Sequence, residues 1–145
     1  MQVAGVSVRP LRILRDARGA VMHMLRSDAP HFKRFGEVYF SVIAPGAVKA
    51  WKRHRRVAQN LAVPVGRVRI VIYDDREGSA TRGALQEIVT GPDDYALVSI
   101  PPLLWYGLQG IAQGESLIAN CASEPHDPAE SESADPASAS IPFSW

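Results

Sequence analysis

The sequence predicts an all-β protein whose strands pack as a sandwich, a jelly roll or a small barrel. Three observations carry this. Short runs rich in β-branched and aromatic residues recur along the chain, Pro, Gly and Asp turn signals bound them, and no segment sustains a capped helical period. A length of 145 residues, 46% of them hydrophobic, suits one domain with a real core.

Glu37 to Ile43 (EVYFSVI) is the first clear strand, and it stops at the Pro45-Gly46 turn signal. Val65 to Tyr73 (VGRVRIVIY) sets Val68, Ile70 and Ile72 against Arg67, Arg69 and Val71, the alternation of a half-buried strand. A polar loop, Asp74 to Gly83, follows. Leu85 to Thr90, Tyr95 to Ile100 and Ser116 to Cys121 are further short strands, separated by Gly91-Pro92-Asp93-Asp94 and Gln113-Gly114-Glu115. Val21 to Phe35 is the one helix candidate, and Pro30 interrupts it. From Ser123 the composition turns to Ser, Ala, Pro and acid, which divides the chain into a domain, 1–122, and a tail, 123–145, expected to lack regular structure. That tail ends in Ile141-Pro142-Phe143-Ser144-Trp145, too apolar to stay in water, and is expected to dock on the domain or on a partner subunit.

Charge is distributed unevenly. The net charge is +1, yet all sixteen Lys and Arg lie at or before Arg82, with only six acids there, while nine acids follow. The first part therefore carries +10 and the second −9, a pattern that points to an anionic partner, an acidic tail, or both. No apolar run is long enough to span a bilayer, and arginines interrupt the N-terminal stretch where a signal peptide needs an apolar core. The single cysteine, Cys121, excludes an internal disulfide framework and a cysteine-built zinc site, so a reducing, cytoplasmic setting is the default.

The informative constellation runs from Gly46 to Gly66. Gly46, Lys52, His54, Gln59 and Gly66 fall at the spacing of the first cupin motif, with Lys52 at its first His and Gln59 at its carboxylate. Ile100-Pro101-Pro102 resembles the turn of the second motif, with Tyr106 at the position of its His. A lone His54 cannot hold a metal, which needs several imidazoles or carboxylates converging. Asp16-Ala17-Arg18-Gly19, the segment Gly46 to Trp51, Tyr73-Asp74-Asp75-Arg76, and Asn120-Cys121 through Glu124-Pro125 complete an ordered set. Taken together, these segments resemble the dTDP-4-dehydrorhamnose 3,5-epimerase family and the related dTDP-sugar 3,4-ketoisomerases, over roughly Arg12 to Glu130.

The resemblance implies a cupin jelly roll, a cytoplasmic homodimer without metal or redox cofactor, acting on a dTDP-linked keto-deoxysugar in deoxysugar or surface polysaccharide biosynthesis. It places Lys49 and Arg18 at phosphate contacts and Lys52 at the position of the family's catalytic His. Gln59 falls where a lysine stabilises an enolate, and Glu37 and Tyr39 fall where thymine is read. Chemically, shifting a proton beside a ketone needs a base at the C–H and a donor for the enolate oxygen. In an extended strand Lys52, His54 and Arg56 share a face. His54 is then the natural base, Lys52 the neutralising cation, and Tyr106 the group that returns the proton from the opposite side; Trp51 is a candidate pocket wall. Two alternatives stand beside this reading. One is a nucleotide-sugar-binding cupin without turnover. The other is a nucleic-acid-binding barrel using Lys49 to Arg56 with Trp51 as a stacking surface, which the acidic C-terminal part opposes.

Overall fold

A computed structural model describes all residues, Met1–Trp145. It holds twelve strands in chain order: β1 (Ser7–Pro10), β2 (Ile13–Asp16), β3 (Gly19–Met22), β4 (Glu37–Ile43), β5 (Val48–His54) and β6 (Gln59–Val65). β7 (Val68–Tyr73), β8 (Leu85–Thr90), β9 (Ala96–Ile100), β10 (Trp105–Gly110), β11 (Ser116–Ala122) and β12 (Ser131–Ser133) complete them. Two five-stranded antiparallel sheets, ordered β1-β9-β6-β11-β4 and β12-β5-β10-β7-β8, face each other as a cupin jelly roll, and β2-β3 forms a separate hairpin. The Val21–Phe35 helix candidate is not a helix: its start is β3 and the rest is loop, because Pro30 and the lack of an apolar stripe leave a helix nothing to bury.

The main core lies between the sheets. Val68, Ile70 and Ile72 of β7 meet Leu61 and Val63 of β6, Val98 of β9 and Ile118 of β11 in a cluster of 15 buried residues. Gly46 and Gly66 sit at φ +74° and +84°, the left-handed region, where they turn the chain into β5 and out of β6. At β4, Ser41, Ile43 and Tyr39, itself 40% exposed through the open cavity it lines, point inward, while Val38, Phe40 and Val42 lie exposed on the outer face.

β7 is not half-buried as its alternation predicts. Val71, on the supposed outer face, is fully buried in a second cluster with Trp51, Trp105 and Ile141. What covers it is the C-terminal segment, which the composition alone marks as irregular. Ser131–Ser133 adds to the edge of β5, pairing Ser131 with His54 and Ser133 with Lys52. Beyond it Ala134 exchanges two backbone hydrogen bonds with Trp51, and Phe143 and Trp145 close on the Trp51 ring with centroids 6.1 and 5.0 Å away. Gly107 makes room for this: a Cβ there would lie 2.4 Å from the Trp145 ring and 2.7 Å from Ala50. The acidic, small-residue stretch is thus a strap ending in an apolar anchor.

Candidate active site

From Trp51 onward β5 alternates cleanly. Trp51 and Arg53 face the strap, where the Arg53 guanidinium lies 4.5 Å over the Trp105 ring. Lys52 and His54 face inward. Arg56 does not share that face: β5 ends at His54, and the exposed Arg56 turns to Glu124 at 3.3 Å and Asp127 at 3.6 Å. The remaining arginines of the run are also matched. Arg53 pairs with Asp75 at 3.0 Å and with Glu132 at 2.6 Å, and Arg55 pairs with Glu132 at 3.2 Å. Within the basic run only Lys49 and Lys52 have no carboxylate partner, and both line the same cavity. With its arginines so occupied, the run offers no continuous cationic groove for a nucleic-acid strand, and the Trp51 ring is covered by the strap.

That cavity, about 310 Å³, opens between the sheets and is walled by Tyr39, Ser41, Lys49, Lys52, Tyr106 and Asn120 among others. A narrower arm of about 40 Å³ shares Tyr39 and Lys52 with it and is lined by Glu37, His54, Gln59 and Glu130. Lys49 Nζ donates to Ser41 Oγ at 3.0 Å and to the Val42 carbonyl at 2.8 Å. Trp51 contributes its edge to the larger cavity, but its ring is buried under the strap and its Nε1 donates to the Pro136 carbonyl at 3.4 Å. Arg18 is the one candidate outside: it lies at the β2–β3 turn, 90% exposed, its guanidinium paired with Asp16 at 2.7 Å.

The wall built from β5, β10 and the strap carries a hydrogen-bonded row. Glu130 accepts from His54 Nδ1 through Oε1, and from the backbone N–H groups of Arg56 at 2.8 Å and Val57 at 3.0 Å through Oε2. Burial pushes the Glu130 carboxyl up, but those three donors outweigh it and hold it at about 2. An ionised carboxylate only accepts, so His54 Nδ1 must carry a proton. The other ring nitrogen, Nε2, faces the Tyr106 hydroxyl at 3.3 Å, and in the neutral ring this tautomer leaves Nε2 the lone pair that a general base requires. Burial raises the Tyr106 phenol well above its ordinary range, so it stays protonated and donates to Nε2. Tyr106 therefore does not stand opposite His54. Its strand is the sheet neighbour of β5, with Tyr106 in register with Lys52, and both side chains share one wall.

The facing wall, from β4, β6 and β11, carries a second row. Asn120 Nδ2 donates to the Tyr39 hydroxyl at 2.8 Å and to Gln59 Oε1, and its Oδ1 accepts from the Asn60 N–H at 3.2 Å. Gln59 is 1% exposed and its Nε2 has no partner within the protein. A buried donor left unmade costs roughly 1–3 kcal/mol, a cost that a bound acceptor removes. No group of three or more His, Cys, Asp and Glu side chains converges as a metal site would require.

No protein-family model matches the sequence. Over 124 residues, 84% of this chain and 80% of the relative, it is 36% identical to the "Probable low-salt glycan biosynthesis epimerase Agl13" of Haloferax volcanii. It is 30% identical to the Bacillus subtilis spore coat polysaccharide biosynthesis protein SpsL over 116 residues, 80% of this chain and 72% of that one. The crystal structure of a dTDP sugar isomerase from Desulfovibrio desulfuricans superposes with a TM-score of 0.97 at 47% identity, covering 99% of this chain and 92% of the other. This chain belongs to the dTDP-sugar epimerase and isomerase family of cupins. Two residues the sequence reading did not single out, Glu130 and Asn120, complete the site that this family member builds. Asn120 belongs to the Asn120–Pro125 segment of the family resemblance, but Glu130 is one acid among many in a biased tail. The only signals toward Glu130 were the charge asymmetry and the apolar tip that returns the tail to the fold.

Asp74 and Asp75 of the Tyr73–Arg76 segment are structural. Asp74 is fully buried and accepts from Arg76, Ser79 and Thr81, which ties down the loop from 74 to 83. Asp75 accepts from Arg53 and from Trp105 Nε1 at 3.0 Å.

The Glu130 row also fixes a pH dependence. Its carboxyl sits lower in the fold than the ordinary 4.5, so its contribution is complete above that value and is lost as pH falls toward about 2. Denaturant unfolding of the wild type and of Glu130→Gln should therefore differ most at neutral pH. The stability gap should narrow steadily below about pH 4.5; a gap independent of pH would contradict the assignment.

Proposed function

We propose that this family member binds a dTDP-linked 4-keto-6-deoxyhexose between its sheets and moves a proton at the carbon beside the ketone, as an epimerase or isomerase of deoxysugar or surface polysaccharide biosynthesis. The observation that carries this is the pair Lys49 and Lys52. In a basic run otherwise neutralised by carboxylates they are left uncompensated at one cavity, as a small diphosphate requires and a polyanion does not. His54 Nε2 is the base. Substrate displaces the long 3.3 Å contact from Tyr106, and Glu130 holds the imidazolium that forms. Lys52, where the two cavities meet, neutralises the enolate oxygen, and the unpartnered Gln59 Nε2 supplies a donor to the sugar. Glu37 lines the narrow arm beside them.

Arg18 stands away from the cavity, on a hairpin whose Leu14 and Val21 are exposed, as are Val38, Phe40 and Val42 on the outer face of β4. We infer that these apolar surfaces meet in a homodimer, which sedimentation would detect as a twofold mass. The buried, unpaired Cys121 is in keeping with a reducing, cytoplasmic setting.

Incubation with dTDP-4-keto-6-deoxyglucose in heavy water tests the reaction. Deuterium entering at sugar C3 or C5 is the expected result. dTDP binding without entry at either carbon would leave a binding protein without turnover.

A further inference from the structure

Inverting a carbon requires that the proton leave from one face and return on the other. The first wall cannot do both. His54 and Tyr106 stand side by side on neighbouring strands of one sheet, 3.3 Å apart, so both reach the sugar carbon from the same side. Lys52 projects from the same strand as His54 and belongs to that wall as well.

The facing sheet presents two hydroxyls to the cavity, Ser41, which accepts from Lys49 Nζ at 3.0 Å, and Tyr39, and of these only Tyr39 also lines the narrow arm that holds His54. Tyr39, on β4, lines both the cavity and its narrow arm. Its oxygen accepts from Asn120 Nδ2 at 2.8 Å and has no acceptor of its own within the protein, so the phenolic proton is free to point at a ligand. The Asn120 amide cannot rotate without cost. Its oxygen is held by the Asn60 N–H at 3.2 Å and its nitrogen is shared with the carbonyl oxygen of the buried Gln59. Burial raises the Tyr39 phenol, an effect that Asn120 only partly offsets, so the hydroxyl remains protonated at neutral pH.

We propose that Tyr39 is the proton donor on the face of the sugar carbon opposite His54, and that Asn120 and Gln59 are the positioning residues for its hydroxyl. The proposal rests on the keto-sugar reading above and replaces base reading as the role of position 39. The step balances. The C–H bond breaks, its proton passes to His54 Nε2 and its electron pair forms the enolate, with negative charge on the ketone oxygen. The enolate collapses to the ketone, its carbon takes the Tyr39 proton on the other face, and the O–H bond of Tyr39 breaks. The phenolate regains a proton from water, and the imidazolium releases one to water.

The test compares deuterium entry with inversion. In heavy water with dTDP-4-keto-6-deoxyglucose, Tyr39→Phe should still incorporate deuterium, now with retention, while the rate of epimer formation falls roughly 100-fold or more. Its dTDP affinity and unfolding midpoint should match the wild type. Asn120→Ser should lower kcat for inversion with KM unchanged, whereas a merely structural role would lower the unfolding midpoint and leave the ratio of inversion to exchange intact. Wild-type inversion by Tyr39→Phe overturns the assignment. So does a loss of dTDP binding, which would make Tyr39 a base-reading group, or a 3-keto product with no inverted carbon. Absence of exchange in the wild type overturns the keto-sugar reading itself and this assignment with it.

Discussion

Replacing His54 by asparagine should reduce proton exchange at the sugar carbon by about 10²–10⁴-fold, the range removed with a positioned general base. Asparagine keeps a donor near the place of Nδ1, so Glu130 retains a partner and the fold a comparable unfolding midpoint. It offers no lone pair in place of Nε2, so the C–H proton has no acceptor. Lys52→Ala tests whether the neighbouring ammonium, rather than the imidazole, takes the proton. The ammonium faces the same cavity as His54 but has no group that fixes it, whereas the imidazole is held by Glu130 on one side and Tyr106 on the other. Lys52→Ala should keep deuterium entry above that of His54→Asn, but lower kcat through the lost cation at the enolate oxygen and raise KM through the lost diphosphate contact. Exchange abolished in Lys52→Ala but preserved in His54→Asn would make the lysine the base. Glu130→Gln should fall between them, because an amide can hold Nδ1–H through its oxygen but cannot stabilise an imidazolium as a carboxylate does.

The second large effect concerns stability. Removing Ile141 to Trp145 uncovers Trp51, Val71 and Trp105, which are at most 8% exposed in the native fold. Deleting a large buried aromatic contact costs about 3–5 kcal/mol, which for a domain of this size lowers the unfolding midpoint on the order of 10 °C. The loss should exceed the packing term alone, since the anchor also keeps β12 on the edge of β5. Gly107→Ala probes the same contact from the opposite side. Its new methyl overlaps the Trp145 ring and Ala50, and overpacking of this kind costs about 1–3 kcal/mol. If the contact is what both variants disturb, their combination should cost less than the sum, measured by denaturant unfolding. Strict additivity would show that the two act through different parts of the fold.

How legible the molecule was in its sequence differs from element to element, for physical reasons. β4, β8 and β11 were readable because their β-branched and aromatic residues are bounded by turn signals; the structure has them as Glu37–Ile43, Leu85–Thr90 and Ser116–Ala122. β12 was not readable: Ser-Glu-Ser has no strand propensity, and it is extended only because β5 offers an unpaired edge and the anchor holds it there. Val71 departs from its alternation for the same reason, since alternation reports two faces but not what covers the second. At the site, Lys52 and His54 fall on the cavity or its arm as strand alternation indicates, and Gln59, Tyr39, Glu37 and Tyr106 do so as the family resemblance implies. Arg18 does not, because a residue at a hairpin tip is placed by what the hairpin meets, and no partner is part of this fold. Glu130 was invisible locally. Its role comes from a long-range contact, and nothing in an acidic run marks which carboxylate turns inward.

That contact has a consequence for how the protein becomes functional during synthesis. His54 and Glu130 are 76 positions apart, and every strand of the barrel from β6 to β11 lies between them. A chain still emerging from the ribosome can pair β1 to β11 while His54, the proposed base, remains without Glu130, since the N-terminal part folds first. Proton-transfer competence arrives after the barrel, in one late and highly non-local event, when the strap reaches the β5 edge. On the proposed mechanism, a half-made chain is therefore a shell in which His54 lacks the carboxylate that holds its ring, until the last segment docks.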